Sequence, residues 1–184
     1  MNFDKEYFED SVAVFDPGTK TGAGMLVVRS HSRLHIADTF SMERFEDVNG
    51  WDPKTDYIAS ASDALREWGN GIKNTVPNLN MRVIMARNFL IEFPGFGTGR
   101  RGRTPAITTL MRVAHNAASI GAEVAQWTGR DVEFFRADML RRNGQIIPNK
   151  NRTTLFRRIY GDVDANEHSV DAGLIAAKFF NVFS

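Results

Sequence analysis

Two carboxylates lie at or near the ends of apolar segments, where a charge is unfavourable to bury. Asp16 ends the apolar run 12–15, and Glu92 lies within the apolar segment 89–93. An ionised carboxylate is strongly destabilising in a protein interior unless it is paired or binds a cation. Either residue alone could simply be solvated at a strand end. Together, Asp16 and Glu92 indicate a cation between them.

A third set of candidate ligands lies near the end of the chain, within 166–173. If this segment opens a helix, His168 and Asp171 are three positions apart and Glu167 and Asp171 are four apart, so either pair shares a face. Carboxylate oxygens with one imidazole suit Mg²⁺ or Mn²⁺. The alternative is a helix N-terminus whose carboxylates interact with the helix dipole. His168 and Glu167 are therefore both candidate ligands beside Asp171.

The segments that must position these residues alternate between strand and helix patterns. We predict strands over 11–15, 24–29, 34–40, 81–93 (most clearly 89–93) and 132–135, and helices over 55–72, 105–127, 151–160 and 166–180. An antiparallel opening followed by strand–helix crossovers predicts an α/β fold with a mixed five-stranded sheet and helices on both faces. The length predicts a single domain over residues 1–184.

Composition excludes several classes of chemistry. The chain has 184 residues, 42% of them hydrophobic and 24% charged, and no cysteine. Disulfides, thiolate metal sites and a cysteine nucleophile are thereby excluded. The mixed, acidic N-terminus is unlike a secretory signal, and no apolar run is long enough for a bilayer, so we expect a soluble, cytoplasmic protein without membrane contact. The glycines of the loop 95–104 lack the spacing of a nucleotide-binding motif, and no nucleotide cofactor is expected.

Charge is distributed unevenly along the chain. Residues 1–66 carry 7 Lys/Arg against 12 Asp/Glu, and residues 67–184 carry 16 against 10. Most of the later cations are Arg, whose planar fork of donors suits phosphate oxygens. This bias is typical of proteins with a polyanionic partner. A solvated, salt-bridged surface explains the charge distribution equally well. Two groups of cations are candidate nucleic-acid contacts, one in the Gly/Arg loop and one near the predicted helix 151–160: Arg100, Arg101 and Arg103, and Lys150, Arg152, Arg157 and Arg158.

Four short motifs carry a resemblance to a known family. They are Asp-Pro-Gly at 16–18, Thr-Gly at 21–22, Leu-Ile-Glu at 90–92 and His-Ser-Val-Asp-Ala at 168–172. In order and spacing they resemble RuvC-type Holliday-junction resolvases of the RNase H-like nuclease superfamily, over about residues 11–180. The segments 42–54 and 77–87 depart from compact bacterial members, and the chain looks closer to phage-encoded ones.

The resemblance implies an activity and a set of roles. It implies a crossover junction endodeoxyribonuclease: a homodimer that resolves four-way or otherwise branched DNA with Mg²⁺, for which Mn²⁺ substitutes. Asp16 would bridge two metals, and Glu92 and Asp171 would each hold one side. His168 would bind metal or position the water, with Glu167 as its rival for the fourth ligand position; the resemblance favours His168. Phe96, one position later than the family's aromatic residue, would contact DNA bases.

Two other functions remain open for the same fold. One is an RNase H-like nuclease that acts on RNA–DNA hybrids or flap DNA. The other is a nucleic-acid-binding module without catalysis, because a fold does not guarantee an activity.

Overall fold

Five strands form one mixed sheet in a computed structural model that describes residues 8–18, 22–42, 86–93, 107–136 and 140–183. The order across the sheet is β3-β2-β1-β4-β5. The first three strands pair antiparallel, and β4 and β5 continue the sheet in parallel with β1. The bounds are β1 (Ser11–Asp16), β2 (Gly22–Ser30), β3 (Arg33–Met42), β4 (Asn88–Phe93) and β5 (Glu133–Arg136).

Helices cover both faces of this sheet. On one face, α1 (Ile107–Thr128) packs its buried Ile120 and Val124 against strand residues that include Phe15 and Ile91. On the other face, α2 (Asn149–Tyr160) and α3 (Glu167–Phe179) pack against alternate strand residues. Because successive side chains of a strand point to opposite faces, the unbroken apolar runs of β1 and β4 supply both cores. The predicted α/β architecture is confirmed.

The two helices on the second face approach each other closely at Gly173. A Cβ atom built on this residue would collide with the ring of Phe156 in α2. The hydroxyl of Tyr160 donates a hydrogen bond to the carbonyl of Gly173 at 2.8 Å. The rings of Phe156 and Tyr160 lie 4.9 Å apart. Glycine at position 173 therefore sets the spacing between α2 and α3.

The structure differs from the sequence prediction in two places. Strand β4 begins at Asn88, so residues 86 and 87 of the predicted strand lie outside it. Its start is fixed to the start of β1, because the backbone of Arg87 and the side-chain amide of Asn88 both donate to Ser11. A hairpin that the prediction missed, β6 (Arg141–Arg142) and β7 (Gln145–Ile146), precedes α2. Its turn is the Asn-Gly pair at 143–144, both with positive φ, a typical two-residue hairpin turn.

Several segments discussed in the sequence analysis lie outside the described residues. They are the predicted helix over 55–72, residues 81–85 of the predicted strand 81–93, and most of the segment 42–54. No helix in the described ranges is long and apolar enough to cross a lipid bilayer.

Candidate metal centre

The sheet register places Asp16 and Glu92 side by side. Strands β1 and β4 run parallel, and Phe15 is the register partner of Ile91, so the next residue of each strand is Asp16 and Glu92. Phe15 and Ile91 face α1. Alternation therefore turns both carboxylates to the opposite face, where α3 lies.

Helix α3 supplies the other two side chains of the site. Its N-cap is Asn166, whose side-chain oxygen accepts a hydrogen bond from the backbone amide of Ser169 at 2.8 Å. A capping side chain at this position satisfies an amide that has no partner within the helix and so fixes where the helix begins. His168 thus lies in the first turn, with Asp171 three residues later on the same face.

Three carboxylates meet at this point. Asp16, Glu92 and Asp171 each offer an oxygen within 4.8 Å of the others. Asp16 is only 6% exposed. Nδ1 of His168 lies 2.9 Å from Oδ2 of Asp16, and Arg152 pairs with Oδ2 of Asp171 at 2.5 Å. Oδ1 of Asp171 and Oε2 of Glu92 are buried and lack a hydrogen-bond partner among the described residues.

Three groups at this site have raised pKa values, namely Glu92, Asp171 and His168. Burial, together with the charges of Asp16 and Asp171, raises the pKa of Glu92 well above its ordinary value. Burial also raises the pKa of Asp171 to about 6, although Arg152 acts in the opposite direction. The hydrogen bond to Asp16 raises the pKa of His168 despite partial burial. The cluster therefore has more negative charge than its surroundings neutralise.

This donor set fits a hard divalent cation. Buried carboxylate oxygens without partners are destabilising in a protein interior. Three carboxylates and a neighbouring imidazole are ligands that Mg²⁺ and Mn²⁺ accept. A bound cation would pair the two free oxygens and stabilise the ionised carboxylates against the burial and mutual repulsion that raise the pKa values of Glu92 and Asp171.

Glu167 has a different environment from His168. Its side chain is exposed, and Oε1 accepts a hydrogen bond from the side-chain amide of Asn149 at 2.6 Å. It therefore joins the start of α3 to the start of α2. Of the two rivals for a fourth ligand position, only His168 contacts the carboxylate cluster in the described part of the chain.

The cations assigned to a second basic surface fall into different environments. Lys150 and Arg158 are exposed on α2. Arg157 is exposed and lies 3.4 Å from Asp162. The sequence predicts Arg152 at the surface, but its side chain is only 11% exposed and is paired with Asp171. Four other predicted DNA contacts lie outside the described residues: Phe96, Arg100, Arg101 and Arg103.

The sequence interpretation missed three features next to the site. The first is the contact of Asn149 with Glu167. The second is the hairpin β6–β7, which the Asn-Gly pair at 143–144 could have indicated. The third is the pairing of Arg152 with Asp171, which joins residues 19 positions apart and is predicted by no local pattern.

Comparison with solved structures supports the fold. Thermus thermophilus RuvC in complex with a Holliday junction substrate superposes with a TM-score of 0.61 at 13% sequence identity, over 91% of this chain and 90% of that one. A second Thermus thermophilus RuvC structure gives 0.60 at 13% identity, over 94% and 95% of the two chains. Neither a protein-family model nor a curated protein matches the sequence. At this identity the likeness establishes a RuvC-like, RNase H-like fold.

Proposed function

We propose that this protein is a metal-dependent endonuclease that cleaves branched DNA, with four-way junctions as its principal substrate. The observation that supports this most directly is the meeting of Asp16, Glu92 and Asp171 on one face of the sheet. The fold is shared with a protein whose solved structure holds a Holliday junction substrate. The acidic residues of the motifs that resemble the resolvase family, Asp16, Glu92 and Asp171, are the ones that lie together.

The carboxylates would hold Mg²⁺, with Mn²⁺ as a substitute. When bound, the cation would supply an activated water and neutralise charge that develops on the phosphate and the leaving oxygen. Asp16, central in the sheet and flanked by both other carboxylates, is the proposed shared ligand. Glu92 and Asp171 each contribute a buried oxygen that has no other partner among the described residues.

His168 has two possible tasks beside Asp16. It is 2.9 Å from an oxygen of that carboxylate and its side chain is 33% exposed, so it is accessible from solvent. A neutral imidazole in this place can bind the metal directly. It can also accept a proton from the attacking water, because a histidine titrates near neutral pH. Both tasks require the neutral form.

The DNA would lie along the cationic surface that borders the cluster. Lys150 and Arg158 are available on α2 for phosphate contacts, which fix position without reading sequence. The proposal assigns further contacts to the Gly/Arg loop and to Phe96. Arg100, Arg101 and Arg103 should be neutralised together. The slope of the logarithm of the duplex-binding constant against the logarithm of salt concentration should then become shallower by about 0.9 for each lost phosphate contact. An unchanged slope would mean that this loop does not contact DNA.

Junction resolution requires two symmetric nicks, and we therefore include a homodimer in the proposal. A two-fold axis would place one carboxylate cluster on each of two equivalent strands. In this proposal each protomer contributes one nuclease domain that spans residues 1–184.

The decisive test compares cleavage of three substrates. A mobile four-way junction, a flap duplex and an RNA–DNA hybrid should be incubated with the protein in Mg²⁺, in Mn²⁺ and in EDTA. We expect metal-dependent paired nicks in the junction and little cleavage of the other two. Preferred cleavage of the flap or the hybrid would reassign the substrate. Junction binding without cleavage in either metal would indicate a binding module. Asp16→Asn serves as the control for contaminating nuclease.

A further inference from the structure

Arg152 is held on two sides within the candidate metal centre. One terminal nitrogen of its guanidinium donates to Oδ2 of Asp171 at 2.5 Å, and its Nε donates to the carbonyl oxygen of Ile147 at 3.1 Å. The exposed fractions of the Arg152 and Asp171 side chains are 11% and 13%. An arginine fork held by two acceptors is a rigid donor, whereas a lysine ammonium in the same place would be a point charge.

The support for this arginine is itself well ordered. The amide of Ile147 donates to the carbonyl of Leu140 at 3.0 Å, which closes the base of the hairpin β6–β7. Both Leu140 and Ile147 are buried. The side-chain contact of Asn149 with Glu167 joins the two helices one turn away. The guanidinium is thus fixed by the hairpin on one side and by α3 on the other.

This arrangement makes the two oxygens of Asp171 unequal. Oδ2 is occupied by Arg152, and Oδ1 is buried without a hydrogen-bond partner in the described ranges. A carboxylate held by one oxygen cannot rotate freely. The other oxygen is then presented in a fixed direction, as happens for metal ligands that are oriented by an outer partner.

We infer that Arg152 is a positioning residue of the metal centre, which holds Oδ2 of Asp171 so that Oδ1 is presented to a divalent cation shared with Asp16 and Glu92. This inference rests on the proposed metal site and adds a residue to it. It also changes the role of Arg152 from a DNA contact to a support of the cluster.

Orientation and electrostatics predict opposite effects when Arg152 is replaced. A guanidinium near the site repels a cation, so by charge alone its removal should tighten metal binding. If Arg152 orients Asp171, its removal should weaken metal binding, by about 10- to 100-fold for loss of an outer partner. The sign of the change therefore separates positioning from simple charge compensation.

The experiment measures Mn²⁺ binding to the protein without DNA, by titration calorimetry and by the paramagnetic resonance signal of free Mn²⁺. Arg152→Met should weaken binding at least 10-fold, and Arg152→Lys should weaken it less, because lysine keeps the charge but not the fork. Arg33→Met, which removes an exposed arginine at the far end of the sheet, should bind as the wild type does. Circular dichroism at the titration temperature verifies that each variant is folded.

A double-mutant cycle tests whether Arg152 acts through Asp171. In an Asp171→Asn background, Arg152→Met should cause little further loss, because the oriented oxygen is already altered. Tighter or unchanged Mn²⁺ binding by Arg152→Met, or an equal loss in both backgrounds, would overturn the inference. If Arg152→Met does not fold, the same cycle with Arg152→Lys decides the question.

The two proposals fail in distinguishable ways. Wild-type protein that neither binds Mn²⁺ nor nicks a junction would contradict the proposed function and this inference with it. Wild-type protein that binds Mn²⁺ and nicks, beside an Arg152→Met variant that binds Mn²⁺ equally well, would contradict this inference alone.

Discussion

Replacement of Asp171 by Asn should change the pH dependence of stability in the metal-free protein. The pKa of Asp171 is about 6, against 3.8 for an ordinary aspartate. Because 1.36 kcal/mol corresponds to one pH unit, the ionised form is destabilised by about 3 kcal/mol in the folded state. The folded protein keeps a proton on this carboxyl that the unfolded chain releases between about pH 4 and pH 6. The favourable contribution of this carboxyl is therefore present below pH 4 and lost as the pH rises through about 6.

An asparagine at position 171 cannot ionise, so the variant does not lose this contribution to stability as the pH rises. The attraction of Arg152 for the ionised carboxylate is already included in the pKa of about 6, because Arg152 lowers that pKa. Replacing the neutral carboxyl with an amide changes stability only by an amount that does not depend on pH. The informative quantity is therefore the difference in free energy of unfolding between variant and wild type as a function of pH. This difference should rise in favour of Asp171→Asn by about 2 kcal/mol between pH 4 and pH 7, because part of the total of about 3 kcal/mol is already lost at pH 4.

Urea denaturation in EDTA at several pH values from 4 to 7.5 measures this difference. Asp164→Asn is the matched control, because Asp164 is exposed in the segment between α2 and α3, and its difference from wild type should stay flat. At pH 7.5, added Mg²⁺ should stabilise the wild type more than Asp171→Asn. A difference that is flat or falls with pH in Asp171→Asn would refute the electrostatic description of the cluster.

Three further predictions concern neighbouring residues. Asp16→Asn should abolish metal-dependent nicking while junction binding, measured by gel shift, stays equal or tightens, because a carboxylate that repels phosphate is removed; residual nicking would exclude the central role. His168→Ala should reduce nicking strongly and Glu167→Gln should leave it near the wild-type rate, and the reverse pattern would make Glu167 the fourth ligand. Because the pKa of His168 is raised, the proton must leave before the metal binds, so the apparent Mn²⁺ affinity of the wild type should rise with pH through neutrality. Gly173→Ala should lower the melting temperature and weaken Mn²⁺ binding together, since the added methyl group displaces Phe156 and α2; a normal melting temperature would mean that the helices adjust without strain.

The meeting of the candidate ligands could be predicted from the sequence because each of them has a local physical signal. Asp16 and Glu92 are charges in apolar strands, and such charges require a partner. His168 and Asp171 share a helix face by their spacing alone. The parallel pairing of β1 with β4 then follows from a strand–helix order that permits few topologies. Each of these signals can be recognised in the sequence without knowledge of the tertiary structure.

The electrostatic surroundings of the ligands could not be predicted in this way. Arg152 lies between the polar residues Asn151 and Thr153, a context that predicts an exposed side chain. The approach of α2 to α3 at Gly173 brings it beside Asp171. That approach is possible because Gly173 has no side chain and packs against the ring of Phe156, which lies 17 positions earlier in the sequence. A charge count along the chain assigns every such arginine to the surface. The difference between a DNA contact and a support of the metal centre is therefore set by helix packing, and a change at Gly173 should alter metal binding without touching any ligand.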